Sequence, residues 1–245
     1  MTDERAVELL RAHRVRLVET PPPELPPEER SAMDRVWDEA VRANPALFDG
    51  PVAALTGLTW EEGHGLVLSW TRTSYRLRAL RQVPGATAWL PSLFVSVVQP
   101  TDDGRLLVGR AAAWTAAPGR WQLPGGTVEP PVAGDDLDLA ALRRHAAREL
   151  AEETGSDTRP EALTLGLATR GGNGSVGVVF LAPPCPASSL YERHAALADA
   201  ETAQGRDPEF DRIALVGSPD ALAALGGPHA DYLAPVVRDF AEAGA

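Results

Sequence analysis

Met33, Val36, Trp37, Ala40 and Val41 fall on one side of a helical period, so the segment opened by Pro27-Glu28-Glu29 is predicted as an amphipathic helix. Acids in its first turn suit the helix N-terminus, and Asn44-Pro45 ends it. Ahead of it, Met1–Arg5 leads into an amphipathic stretch, and Pro21-Pro22-Pro23-Glu24-Leu25-Pro26-Pro27 is a stiff extended spacer. The period then shortens. Val52 to Leu58 and Leu66 to Thr71 read as two strands of a hairpin, joined by the turn Glu61-Glu62-Gly63-His64-Gly65.

From about Ala88 the pattern changes again. Leu93 to Val98 is a buried-strand candidate, Thr101-Asp102-Asp103-Gly104 a turn, and Arg105 to Arg110 the next strand. Leu163 to Ala168, Val176 to Leu181 and Arg212 to Val216 add further strands, and a helix from about Ala230 to Ala243 closes the chain. Between these strands, Leu139, Leu142, Ala146 and Leu150 recur at helical spacing, predicting a helix from about Asp138 to Thr154. Asp138 is its N-cap candidate, and Gly155 sits where a helix ends in a left-handed residue. The expected architecture is an α/β sandwich of mixed sheet between helices over residues 89–245, preceded by a smaller α+β unit over residues 1–88.

The helix from Asp138 carries the chemistry. Glu149, Glu152 and Glu153 stand at i, i+3 and i+4 and share a face, where three like charges repel unless a cation or hydrogen-bond donors neutralise them. The apolar residues are expected to bury the opposite face. Upstream, Pro124-Gly125-Gly126 offers a turn whose backbone can approach a ligand without a Cβ in the way.

Composition narrows the partners. A net charge of −11, with no run of Arg, argues against nonspecific binding to nucleic acid or an anionic membrane. All 23 basic residues are Arg. The single cysteine, Cys185, excludes an internal disulfide and any multi-cysteine zinc site, and fits a reduced, cytoplasmic setting. Five scattered histidines show no zinc-ligand spacing, and no stretch of eighteen apolar residues occurs.

Gly125-Gly126 followed by Arg148-Glu149-Leu150-Ala151-Glu152-Glu153-Thr154-Gly155 resembles the box of the Nudix hydrolases, which cleave a nucleoside diphosphate linked to another moiety. The second half of the box is kept. The first half is stretched, since eight more residues than the family pattern allows lie between Gly126 and Arg148, most of them within Pro130–Leu137. One register aligns Gly125-Gly126-Thr127-Val128-Glu129 with the box start and accepts the insertion; the other counts back rigidly and places Ala140 and Gly134 there. The first is preferred because it retains a carboxylate and gives the glycine pair a purpose. Ser156 replaces the family's last aliphatic residue. Farther upstream, Asn44-Pro45-Ala46-Leu47-Phe48-Asp49-Gly50 and Arg72-Thr73-Ser74-Tyr75-Arg76 are similar to strings in two-domain Nudix pyrophosphatases that act on UDP-glucose and UDP-galactose.

The resemblance implies a Nudix-type fold and a magnesium or manganese ion held by Glu149 and Glu153, with Glu152 sharing or tuning the site and the Gly125 carbonyl as a backbone ligand. Arg148 would pair with a neighbouring Glu and hold it at the metal. Glu209, in the acidic loop Asp207–Asp211, is the candidate general base, with Glu153 as the other option. Arg110, Arg120 and Arg170 are the candidates for phosphate contacts because Arg binds phosphate bidentately. Gly171–Ser175 reads as a loop able to close over substrate, and Trp70 and Tyr75 as faces for a uracil. The expected reaction is hydrolysis of a UDP-sugar to UMP and sugar 1-phosphate, by a soluble, cytoplasmic protein, with a homodimer as the assembly the resemblance implies. ADP-ribose, coenzyme A or a nucleoside triphosphate as substrate, and a noncatalytic nucleotide-sensing module, are the alternatives.

Overall fold

In the computed structural model, which describes residues 6–132 and 134–243, the strands that the hydrophobic pattern marks are divided among three sheets. In chain order the elements are β1 (Glu8–Leu10), β2 (Arg14–Glu19), α1 (Pro27–Ala43), β3 (Pro51–Glu61), β4 (Gly65–Ser74), a 3₁₀ segment (Tyr75–Gln82), β5 (Leu93–Val98), β6 (Leu106–Ala111) and β7 (Trp121–Gln122). They continue with α2 (Leu139–Thr154), β8 (Thr164–Arg170), β9 (Val176–Leu181), α3 (Ala187–Ala203), β10 (Phe210–Val216), α4 (Pro219–Ala223) and α5 (Leu233–Ala243). One sheet runs β1-β8-β9-β5, with β5 and β9 parallel and the other pairs antiparallel. The second is β10-β6-β7 and the third β2-β4-β3. The architecture is the mixed α/β type expected, preceded by a sheet-containing N-terminal portion.

The β3–β4 hairpin forms as predicted and bulges between Leu55 and Gly57. The stretch after Met1–Arg5, expected only as amphipathic, supplies β1 and β2, whereas Met1–Arg5 itself lies outside the described residues. β1 pairs with the outer edge of β8, Glu8 opposite Arg170, and so covers an edge that would otherwise be open to strand addition.

The main apolar cluster does not break at residue 88. It joins Ala53, Leu55, Leu66, Leu68 and Trp70 of the hairpin to Leu93, Val95 and Val97 of β5 and to Leu142, Ala146 and Leu150 of α2. Backbone bonds cross the same point: Ala53 N–H donates to the Val128 carbonyl (2.7 Å) and Leu55 N–H to that of Pro91 (2.9 Å). A separate small cluster around Met33, Trp37 and Leu80 fastens α1 to the 3₁₀ segment.

α2 begins and ends as its sequence requires. The Asp138 side chain accepts from the Ala141 N–H, and Gly155 closes the helix at φ 72° in the left-handed region. β5 places the glycine turn, because Val97 N–H donates to the Pro124 carbonyl (2.8 Å) and Val95 N–H to that of Gly126 (3.0 Å). The intervening Gly125 carbonyl has no donor among the described residues.

Candidate active site

The glycine turn and the carboxylate stripe of α2 meet. Gly125 N–H donates to Glu153 Oε2 at 2.6 Å, and the Glu149 carboxylate lies against the α-carbon of Gly126. Gly125 is confined from the other side: a β-carbon on it would come within 2.1 Å of the Val95 carbonyl oxygen. These contacts favour the register that aligns Gly125-Gly126 with the box start. Glu129, the carboxylate which that register retains, lies 3.3 Å from the Arg148 guanidinium.

Glu153 departs from the expected division of the helix into a charged face and an opposite apolar face. It is 0% exposed, and its Oε1 has no hydrogen-bond partner. Residues 149 and 153 fall one step round the helix from the Leu142-Ala146-Leu150 stripe, at the border of the core. Burial pushes the Glu153 carboxyl well above the usual carboxylate range, Glu209 adds to this, and Glu149 and Glu152 add further; the Gly125 N–H opposes the rise. Glu209 is raised by burial and then by Glu149 and Glu152, and Glu152 by burial and then by Glu149. The four carboxylates thus share one electrostatic field. Among the described residues no three His, Cys, Asp or Glu side chains converge into a ready-made cage. The unpartnered buried oxygen and the all-oxygen donors nevertheless fit a hard divalent cation, which would compensate their mutual repulsion.

His145, read from sequence as one of five unremarkable histidines, belongs to this constellation. Arg148 Nη2 lies 2.8 Å from His145 Nδ1, and Arg can only donate, so Nδ1 accepts and the ring proton sits on Nε2. Nε2 faces Glu149 Oε1 at 3.0 Å, within ion-pair distance though without hydrogen-bond alignment. Arg148 also lies 3.9 Å from Glu152. Arg148 thus pairs directly with the neighbouring Glu152 and Glu129, and its link to Glu149 runs through the His145 ring. The i, i+4 spacing of His145 and Glu149 was the available signal.

A cleft of about 420 Å³ opens beside the glycine turn. Its walls include Gly125, Gly126, Arg120, Glu209 and Tyr75 from the expected set, together with Thr169, Asp231 and Tyr232. Arg110 and Arg170 are not among its lining residues, which corrects their expected placement. Asp211 holds Arg110 at 2.8 and 3.1 Å. Arg170 lies 3.8 Å from Glu8, brought there by β1, which sequence did not reveal. Trp70 is 1% exposed and belongs to the core, so it offers no face to a base. Tyr75 lines the cleft, but Arg78 lies over its ring at 4.8 Å and Trp37 meets it edge-on at 6.2 Å. A uracil stack on Tyr75 would have to displace the guanidinium. The Gly171–Ser175 loop does contribute to the cleft wall, through Gly171, Asn173 and Ser175.

The NUDIX domain family matches residues 92–237, and the chain belongs to it. It is a pyrophosphohydrolase acting on phosphoric anhydrides of nucleotide derivatives, a family that generally uses divalent metal ions. Among solved structures it is similar to a NUDIX hydrolase from Nitrosomonas europaea at 23% identity, over 63% of this chain and 90% of that one, with a TM-score of 0.40. It is also similar to a MutT protein from Methanosarcina mazei Go1 at 18% identity, over 63% and 96% of the two chains, with a TM-score of 0.43. A search of curated proteins found no match. Among the described residues no helix is long and apolar enough to cross a membrane.

Proposed function

We propose that the protein hydrolyses the pyrophosphate link of a UDP-sugar to UMP and sugar 1-phosphate, with Glu149, Glu153 and the Gly125 carbonyl holding magnesium or manganese and Glu152 tuning the site. The observation that carries the metal reading is the buried, unpartnered Glu153 Oε1 amid three further carboxylates. When bound, the cation would neutralise phosphate charge and acidify water. Glu209, on the cleft wall with its proton affinity raised, accepts a proton from the attacking water as its oxygen bonds to phosphorus and the bridging P–O bond breaks. Arg120, which lines the cleft, contacts a phosphate oxygen, while His145 and Arg148 orient Glu149.

The sugar-nucleotide reading rests on the two upstream strings, which meet in space. Tyr75 N–H donates to the Gly50 carbonyl (2.9 Å) and Arg76 N–H to Asp49 Oδ1 (2.8 Å). Their junction sets Tyr75 into the cleft wall, which supports a substrate-selecting role for the unit proposed over residues 1–88. The test is a panel of UDP-glucose, UDP-galactose, ADP-ribose, coenzyme A and nucleoside triphosphates with magnesium. Release of UMP and hexose 1-phosphate is expected; inertness toward both UDP-hexoses would remove the sugar assignment.

A further inference from the structure

Residues Tyr75–Gln82 form a 3₁₀ helix, in which side chains three apart eclipse one another. This geometry sorts the segment into faces. Leu77 and Leu80 turn toward the cluster of Met33 and Trp37, with Leu80 0% exposed. Arg76 is consumed by structure, 3.0 Å from Asp34 and 3.4 Å from Asp49. Tyr75, Arg78 and Arg81 make up the remaining face, and all three line the cleft.

Two guanidiniums on one face repel each other, and the Asp231 carboxylate, also on the cleft wall, acts on Arg81 from beyond ion-pair distance. They are held by aromatic rings instead: Arg78 over Tyr75 at 4.8 Å and Arg81 over Trp89 at 5.7 Å. A guanidinium held over a ring face still has N–H donors to offer an anion. The same cleft contains Thr169, which is 1% exposed and whose hydroxyl has no hydrogen-bond partner. A protein of net charge −11 thus presents to its cleft a paired cationic wall and an idle hydroxyl, on a different segment from the carboxylates of α2.

We propose that Arg78 and Arg81 form the phosphate-recognition wall of the cleft, gripping the nucleotide's phosphate oxygens so that a segment outside the Nudix match sets affinity for substrate. The inference rests on the proposed function only in taking a phosphorylated nucleotide as the occupant. Binding needs no turnover and no metal, so the two readings fail separately.

The experiment is titration calorimetry of UDP into the full-length protein in EDTA, comparing the wild type with Arg78→Gln/Arg81→Gln. The double variant is expected to bind UDP about tenfold or more weakly, as loss of charge-assisted hydrogen bonds requires. The salt dependence of UDP binding should also flatten. With magnesium and a turned-over nucleotide, KM should rise while kcat changes little, and Arg78→Lys/Arg81→Lys should recover part of the affinity. An unchanged Kd in a variant with a wild-type circular dichroism spectrum would overturn the proposal. If the double variant fails to fold, salt-independent UDP binding by the wild type would overturn it equally. Absence of hydrolysis with intact, Arg-dependent UDP binding would count against the proposed function alone.

Discussion

Glu149 lies so close to Gly126 that a β-carbon on the glycine would come within 2.5 Å of Glu149 Oε2, whereas one on Gly125 would strike the Val95 carbonyl oxygen at 2.1 Å. The adjacent glycines are therefore required for different reasons. At Gly126 the obstruction is the end of a side chain that can swing away, so Gly126→Ala should fold normally but displace the proposed metal-binding carboxylate. At Gly125 the obstruction is backbone and φ is +152°, so Gly125→Ala should lose about 2 kcal/mol or more of stability. Urea denaturation beside magnesium-dependent activity separates the two. Equal stability losses in both variants would refute the distinction.

Glu153→Gln should abolish magnesium-dependent turnover, at least about a hundredfold, and at the same time stabilise the metal-free protein. Gln keeps an oxygen to accept the Gly125 N–H and removes a charge that burial, Glu209, Glu149 and Glu152 all disfavour. The gain at neutral pH should be on the order of 1 kcal/mol, read as a higher melting temperature in EDTA. Retained activity would sink the metal assignment, and a lower melting temperature would contradict the electrostatic account.

His145→Ala tests the support behind Glu149. Without the imidazole, Glu149 loses the group at 3.0 Å and Arg148 loses its acceptor at 2.8 Å. The apparent dissociation constant for manganese should rise about tenfold or more, as for other groups that orient a metal ligand. Titration of manganese followed by paramagnetic resonance measures it, and an unchanged constant would leave His145 a packing residue.

How much of this was legible in sequence depended on whether the signal was local. α2 was readable from end to end because its periodicity, its Asp138 cap and its Gly155 stop agree. β5, β6, β8, β9 and β10 were marked by short apolar runs, and β5 and β9 match their expected limits. α3 was missed because it buries little: Leu190 is its one buried residue, so no apolar stripe announces it. β1 was missed because three residues carry no period, and that omission misplaced Arg170. The 3₁₀ segment has a period of three rather than 3.6, which hid the alignment of Tyr75, Arg78 and Arg81. Glu153's burial depends on how α2 sits against β5 and the glycine turn, a tertiary fact that helical spacing alone does not contain.

Tyr232 gives a pH dependence that this composition makes unusually clean. The chain has no lysine, so above pH 9 its titrating side chains are tyrosine and cysteine until arginine is reached. Tyr232 is 8% exposed, and burial pushes its phenol from 10.0 to about 12. Because the folded value lies above the unfolded one, the native state holds the proton where the unfolded chain releases it. The associated stability is complete below pH 10 and disappears as the pH rises toward 12. The loss should be on the order of 2 kcal/mol, with a smaller contribution of the same sign from Cys185, whose thiol burial also raises. Tyr232→Phe should flatten most of the alkaline decline while leaving the neutral-pH fold intact. Urea midpoints measured at intervals from pH 8 to 12 would show this, and parallel declines in wild type and variant would place the alkaline instability elsewhere.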